Sequence, residues 1–168
     1  DNMIDIKMFF DTETTGVPKV YGLPVSNVDN YPRLVQLGYI VINGDTVINE
    51  IEHIIKPVGF EIPVGASNVH GITTERALNE GVDLGLALDE FFFWLDMCTI
   101  VAGHNVDFDI SVMGAEYWRQ RGSNPFDGKK TVCTMKSSTN FVGIPRNGGY
   151  KYPKLHELWF KLFGTQMG

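Results

Sequence analysis

The sequence predicts a single α/β domain: a mixed sheet, built from a three-stranded meander and then alternating helices and strands, flanked by helices. Three observations predict it. Three β-rich runs come first and in succession, at 4–10, 33–43 and 46–57. Helical and strand-like segments then alternate from residue 83 to residue 164. Finally, 168 residues that are 43% hydrophobic, with no repeat, low-complexity tract or linker, suit one sizeable core.

Each element has its own signal. Ile4, Ile6, Met8, Phe9 and Phe10 make up the first run and are expected as a buried strand. Residues 17–32 carry three prolines among turn formers, so a loop insertion is expected there. Gly44 and Asp45 behind Asn43 mark a hairpin between the next two runs. Residues 63–78 read as short helical turns. In 83–98, Leu84, Leu88, Phe91 and Leu95 recur at helical spacing behind Asp83, an N-cap candidate. Residues 99–105 are expected as a short buried strand, 108–122 as a helix ended by glycine, and 130–135 as another strand. The last helix, 153–164, opens with proline and closes with glycine, and Leu155, Leu158, Leu162 and Phe163 share one face. A meander leading into such alternation is the ribonuclease H-like arrangement.

The net charge of −6 argues against binding a polyanion by overall charge. Its distribution is uneven: residues 1–118 hold five basic against eighteen acidic side chains, residues 119–168 nine against two. Such a split fits a polyanion-binding face beside an acidic site, or complementary surfaces packed together. Lys129, Lys130, Lys136, Arg146, Lys151 and Lys154 could track phosphates, and an ordinary solvated face explains them equally well. Cys98 and Cys133 are too few for a disulfide framework, so a reducing, cytoplasmic setting is expected. No signal-peptide pattern or membrane-length apolar run is present, and no membrane partner is expected.

The chemistry gathers in two stretches. In FFDTETTG (9–16), Asp11 and Glu13 stand two residues apart at the end of a strand and therefore point the same way. Two such carboxylates repel unless a cation compensates them, although Asp, Thr and Gly also favour plain turns. In GHNVDFDI (103–110), His104 and Asn105 end a strand and Asp109 falls in the first turn of the next helix. Asp109 could equally be a helix cap, with Asp107 as a rival. Two acids at one strand tip and a third at a strand-to-helix junction form the stronger pattern. Strand carboxyl ends are where open α/β sheets build sites. Clustered oxygen donors without thiolates suit Mg2+ or Mn2+.

These stretches resemble the motifs of the DEDD-type 3′→5′ exonucleases, in the branch with a histidine base (DEDDh). The proofreading epsilon subunits of bacterial DNA polymerase III are similar in pattern, and the likeness covers nearly the whole chain. FFDTETTG resembles the first family motif and GHNVDFDISVM (103–113) the second. IPVGASNVHGIT (62–73) resembles the segment leading into the substrate cleft. The resemblance implies that Asp11, Glu13 and Asp109 are catalytic metal ligands for two ions, with Asp11 bridging both. Glu13 would hold the ion carrying the attacking water and Asp109 the other. It further implies that Thr14, Thr15, His70, Gly71, Ile72, Asn105 and Phe108 contact the substrate. That substrate would be a single-stranded or frayed DNA 3′ end, and a DNA polymerase subunit a candidate partner. His104 is expected to be buried and hydrogen-bonded, and His156 to pack or face solvent. The run Phe91, Phe92, Phe93 and Trp94 is expected as core plus a partner-facing edge.

One part of the family pattern is missing. No His-x-Ala-x-x-Asp motif is present, and the one acid after Asp127 is Glu157, which no suitable histidine precedes. Residues 1–168 are therefore expected as a single exonuclease domain cut short at its C-terminal end, weakly active or inactive alone. The alternative is a non-catalytic nucleic-acid- or polymerase-binding module on the same scaffold.

Overall fold

Hydrophobic alternation in the first strand sets the architecture. The computed structural model describes residues 4–164 and 166, apart from the side chains of Phe141, Leu155, Leu158, Trp159 and Phe163. β1 (Ile6–Thr14) buries Met8, Phe10, Thr12 and Thr14 on one face and leaves Phe9, Asp11 and Glu13 on the other. β2 (Leu34–Asn43) pairs with it antiparallel, and β3 (Thr46–Ile54) pairs with β2 through the turn at Gly44. The chain then forms two short helices, α1 (Val64–His70) and α2 (Thr74–Glu80). Ile72 and Ala77 beside them close a small second core over Val35 and Ile62.

Next comes α3 (Leu84–Met97), which starts where the Asp83 carboxylate accepts the Leu86 N–H at 3.0 Å. β4 (Ile100–Gly103) lies parallel to β1, and α4 (Val106–Arg121) ends at Gly122 in the left-handed region, φ 65°. β5 (Lys130–Cys133) extends the sheet parallel to β4, giving the order β3-β2-β1-β4-β5. Two single turns follow, α5 (Thr134–Ser137) and α6 (Thr139–Val142), then a small hairpin of β6 (Pro145–Arg146) and β7 (Gly149–Tyr150), then α7 (Leu155–Phe163).

The main core lies between the sheet and helices α3 and α4. Phe91 is its centre, with ring centroids 5.3 Å from Phe10 and 5.2 Å from Tyr39. At about 25 cal/mol per Å² of apolar area, such aromatic rings carry much of the folding energy. Both helices pack on the face that buries Met8 and Phe10. On the opposite face Phe9 stays 42% exposed and Ile40 36%. Among the described residues no helix is long and apolar enough to cross a membrane.

The mixed sheet is as expected, and the boundaries differ in instructive ways. β1 runs through Asp11 and Glu13 to Thr14, because β2 pairs with it to Leu34. Ile4 lies outside the strand and is 68% exposed, so with Phe9 it is not part of the core. α4 begins at Val106, since Asn105 itself makes the reversal. The run 130–135 stops as a strand at Cys133 and coils into α5. Phe91 is buried while Phe92 and Phe93 are exposed, as the core-plus-edge reading requires. Of the expected face of the last helix, Leu155, Leu158 and Phe163 lie outside the described side chains, and Leu162 is exposed.

The insertion at 17–32 is a loop held by buried polar groups, with one 3-10 turn at Val28–Asn30. The Asn30 amide bonds both backbone groups of Val20 at 2.8 Å. Arg119 on α4 donates to the carbonyls of Val28 and Tyr31 and pairs with Glu116. Glu116 is fully buried and also takes the Arg33 Nε at 2.9 Å. Val25 packs against Gly114, where there is no room for a Cβ to spare.

Candidate active site

The site forms where β1 outruns β4. β4 pairs with β1 no further than Phe9 opposite Ala102. At Gly103 the two chains come so close that a Cβ would sit 2.8 Å from the Phe10 carbonyl, so a glycine is required. Asn105 then adopts φ 61°, ψ 46°, reversing the chain into α4, a conformation asparagine tolerates better than most residues. One turn later Asp109 reaches back to β1. Its Oδ1 accepts hydrogen bonds from the Thr12 N–H at 3.1 Å and the Thr12 hydroxyl at 2.5 Å, while the side chain is 2% exposed. Oδ2 receives no hydrogen bond from the described residues.

The three carboxylates share one electrostatic problem. Burial pushes Asp109 up to about 8; the Thr12 bonds oppose this, and the charges of Asp11 and Glu13 add to it. Asp11 reaches solvent, yet loss of hydration in the groove raises it, with the Thr12 N–H and the nearby His104 ring working the other way. Glu13 is raised by desolvation and then by Asp11, with His70 opposing. None of the three has a Lys or Arg partner among the described residues. Three crowded, under-compensated oxygen donors are the chemistry a hard divalent cation fits. Among the described residues no three Asp, Glu, His or Cys side chains are gathered tightly enough to hold an ion. The reason is visible: Asp109 is turned to Thr12 on the core side of the strand, whereas Asp11 and Glu13 stand on the open face.

The remaining predicted contacts surround this centre. The His70 Nδ1 accepts the Ile72 N–H at 3.1 Å, so Nε2 carries the proton and donates to the Thr14 carbonyl at 3.1 Å. Gly71, at φ 77°, makes the left-handed cap of α1 that permits this. The Ile72 side chain itself is 1% exposed and belongs to the second core. The Thr14 hydroxyl donates to the Gly16 carbonyl at 2.6 Å, and the Thr15 hydroxyl accepts the Arg33 N–H at 2.9 Å. The Asn105 side chain is exposed and caps nothing. Phe108 is half-buried against the core. His104 is half-buried, with Nδ1 3.0 Å from the Thr134 hydroxyl and Nε2 2.6 Å from the Pro153 carbonyl. His156 lines a separate cavity beside α6 and α7.

Two hollows adjoin the carboxylates. A groove of about 450 Å³ runs over Phe9, Asp11, Ile40 and His104. A pocket of about 100 Å³ is lined by Asp11, Glu13, Gln36, Gly38 and Glu52. The strand register places Asp11 opposite Gly38 and Gly38 opposite Glu52. Glu52 thus faces Asp11 across a residue with no side chain, and Gln36 donates to it at 2.7 Å. Gln36, Glu52 and Thr12 were not among the expected site residues. Period-2 alternation marks which face each occupies, but only the register shows what lies opposite.

Comparison with known proteins gives a consistent picture. The model of the RNase T exonuclease family matches residues 8–159. Over 112 residues the chain is 29% identical to DNA polymerase III PolC-type from Pediococcus pentosaceus, an alignment covering 67% of this chain and 7% of that protein. Product-bound exonuclease I superposes with a TM-score of 0.73 at 18% identity, over 98% of this chain and 39% of that one. Escherichia coli exonuclease I in complex with a dT13 oligonucleotide gives 0.69 at 18% identity, over 89% and 34%. The chain thus spans well under half the length of these relatives, and at such identity the structural likeness speaks for the fold alone.

Proposed function

This chain belongs to the RNase T exonuclease family, and from that membership we propose that it is a metal-dependent 3′→5′ exonuclease domain acting on single-stranded or frayed DNA ends. The observation that carries the reading is the set of three carboxylates, Asp11, Glu13 and Asp109, at the carboxyl ends of β1 and β4. Among the described residues no Lys or Arg pairs with any of them, and the His104 and His70 rings only partly oppose the rise of Asp11 and Glu13.

Members of this family use divalent metal ions, and Asp11, Glu13 and Asp109 are the residues that would hold Mg2+ or Mn2+ here. Such ions, when bound, supply activation of a water and stabilisation of the leaving oxygen. The chain's own residues do the positioning. Thr12 holds one oxygen of Asp109, and the other receives no hydrogen bond from the described residues. His70, donating from Nε2, pins the Thr14 carbonyl and so fixes the end of β1 against the turn at Gly71. Thr15, tied to Arg33 in both directions, lays the backbone at Gly16 open to a nucleotide. The PolC-type relative supports a link to DNA replication, with proofreading beside a polymerase subunit as the proposed role. The oligonucleotide complex of exonuclease I supports a single-stranded substrate.

No described side chain is placed as a general base, and the 168 residues hold no His-x-Ala-x-x-Asp. Turnover by these residues alone should be slow. The test is calorimetric titration with Mn2+, together with stepwise shortening of a 5′-labelled oligonucleotide. Asp11→Ala should abolish both; unchanged cleavage by that variant would sink the assignment of these carboxylates.

A further inference from the structure

Between Asp127 and Glu157 the chain has no acidic residue and six basic ones. The structure uses three of the six internally. Lys129 donates to the carbonyls of Asp96 and Cys98, Lys136 pairs with Asp107, and Lys151 pairs with Glu157. Lys130, Arg146 and Lys154 are exposed and make no ion pair among the described residues.

Two tyrosines stand among the unpaired charges. β6 and β7 form a hairpin closed by Asn147 and Gly148, both at positive φ as its tight turn requires. Pairing continues where the Lys151 N–H donates to the Ile144 carbonyl at 2.9 Å. Tyr150 is 53% exposed and Tyr152 57%. The Tyr150 ring leans an edge on Gly143, where a Cβ would lie 3.9 Å away. The end of this arm is fastened at the candidate site. The Pro153 carbonyl, between Tyr152 and Lys154, takes the His104 Nε2 at 2.6 Å, and His104 lines the groove that holds Asp11.

We infer that the arm 145–154 is a docking surface for a single nucleic-acid strand, leading its upstream nucleotides to the carboxylates. Tyr150 and Tyr152 stack on bases, and Arg146 and Lys154 follow the phosphates. Rings between free cations are what a sequence-tolerant strand binder needs, since every base has a face to stack. The arm also resolves an electrostatic difficulty. The carboxylate end of the sheet repels a polyanion, and a basic guide beside it offsets that repulsion. An acidic peptide would use the charges and leave the rings idle. The inference rests on the proposed nuclease reading and goes beyond it by naming where the strand runs.

The experiment is equilibrium binding of the full chain in EDTA, so that nothing is cut. The probes are fluorescent oligo(dT) of about 12 nucleotides, a dinucleotide, and poly-glutamate of similar charge. The double variant Tyr150→Ala/Tyr152→Ala should lose at least about 10-fold in affinity for the longer strand and little for the dinucleotide. Tyr150→Phe/Tyr152→Phe should restore it. Arg146→Ala and Lys154→Ala should each lower the salt slope of binding by about 0.7. Equal loss at both lengths, or no loss from the alanine pair, overturns the inference. Poly-glutamate bound as tightly as the oligonucleotide overturns it too. A wild-type chain that neither binds the strand nor cuts it with Mn2+ overturns the nuclease reading as well, whereas one that cuts while the arm variants bind normally overturns the arm alone.

Discussion

Thr12 and Asp109, 97 residues apart in sequence, are joined by two hydrogen bonds that both end on one carboxylate oxygen. The strand that carries Asp11 and Glu13 is thereby tied to the helix that carries the third acid. Thr12→Val keeps the backbone bond and deletes the hydroxyl. At pH 9, where Asp109 is ionised, the variant should lose about 1.5–3 kcal/mol in urea denaturation. Its affinity for Mn2+ should fall at least about tenfold, as for other partners that orient metal ligands.

Without metal, stability should fall as pH rises. Asp109 is raised from 3.8 to about 8 in the folded chain, so between those values the folded state binds the extra proton. Stability from this group is therefore fully present below about pH 4 and is lost as pH climbs to about 8. The upward shifts of Asp11 and Glu13 act in the same sense. Denaturant midpoints measured from pH 5 to pH 9 in EDTA should decline, and saturating Mn2+ should flatten or reverse the trend. A midpoint that rises with pH in EDTA would contradict the crowding of these carboxylates.

Asp11→Asn should separate stability from metal binding. It removes one of the charges that raise Asp109 and Glu13, so the metal-free variant should be more stable than the parent by about 1 kcal/mol at pH 8. The stabilisation that Mn2+ confers on the parent should largely vanish. Thermal melts with and without metal check both halves.

Glu116→Ala should be among the costliest single changes. The carboxylate lies fully buried between Arg33 and Arg119, and removing it strands two guanidinium groups. A loss of about 3–5 kcal/mol is expected, with faster proteolysis within 17–32, whose backbone Arg119 holds. Limited proteolysis below the melting temperature gives the second readout.

Much of this was legible in the sequence, and the residues show where legibility ended. Alternation alone put Asp11 and Glu13 on one face, and strand-then-helix spacing put Asp109 at the same end of the sheet. Whether Asp109 capped a helix or reached back to β1 depended on Thr12, which lies 97 residues away in sequence. Ile4 and Phe9 look like core by composition, yet Ile4 precedes the ladder and Phe9 lies on the face that α3 and α4 leave uncovered. The hairpin at 145–150 has two residues per strand, too few for any periodicity. The path of 17–32 hangs on the buried Asn30 and the half-buried Arg119, polar residues whose placement no local pattern announces.

The bare position between Asp11 and Glu52 has a practical use. A Cβ built on Gly38 meets nothing nearer than the Ile51 carbonyl at 3.9 Å, and its backbone needs no left-handed angle. Gly38→Cys would therefore seat a thiol on the floor of the acidic pocket without displacing a neighbour. Cys98 is buried and its thiol is pushed up to about 11, which protects it from alkylation at neutral pH, and the half-buried Cys133 would first be replaced by Ala. A spin label or fluorophore attached at position 38 would sit beside both carboxylates. It would report an arriving paramagnetic ion or strand directly, with no need for the chain to turn over.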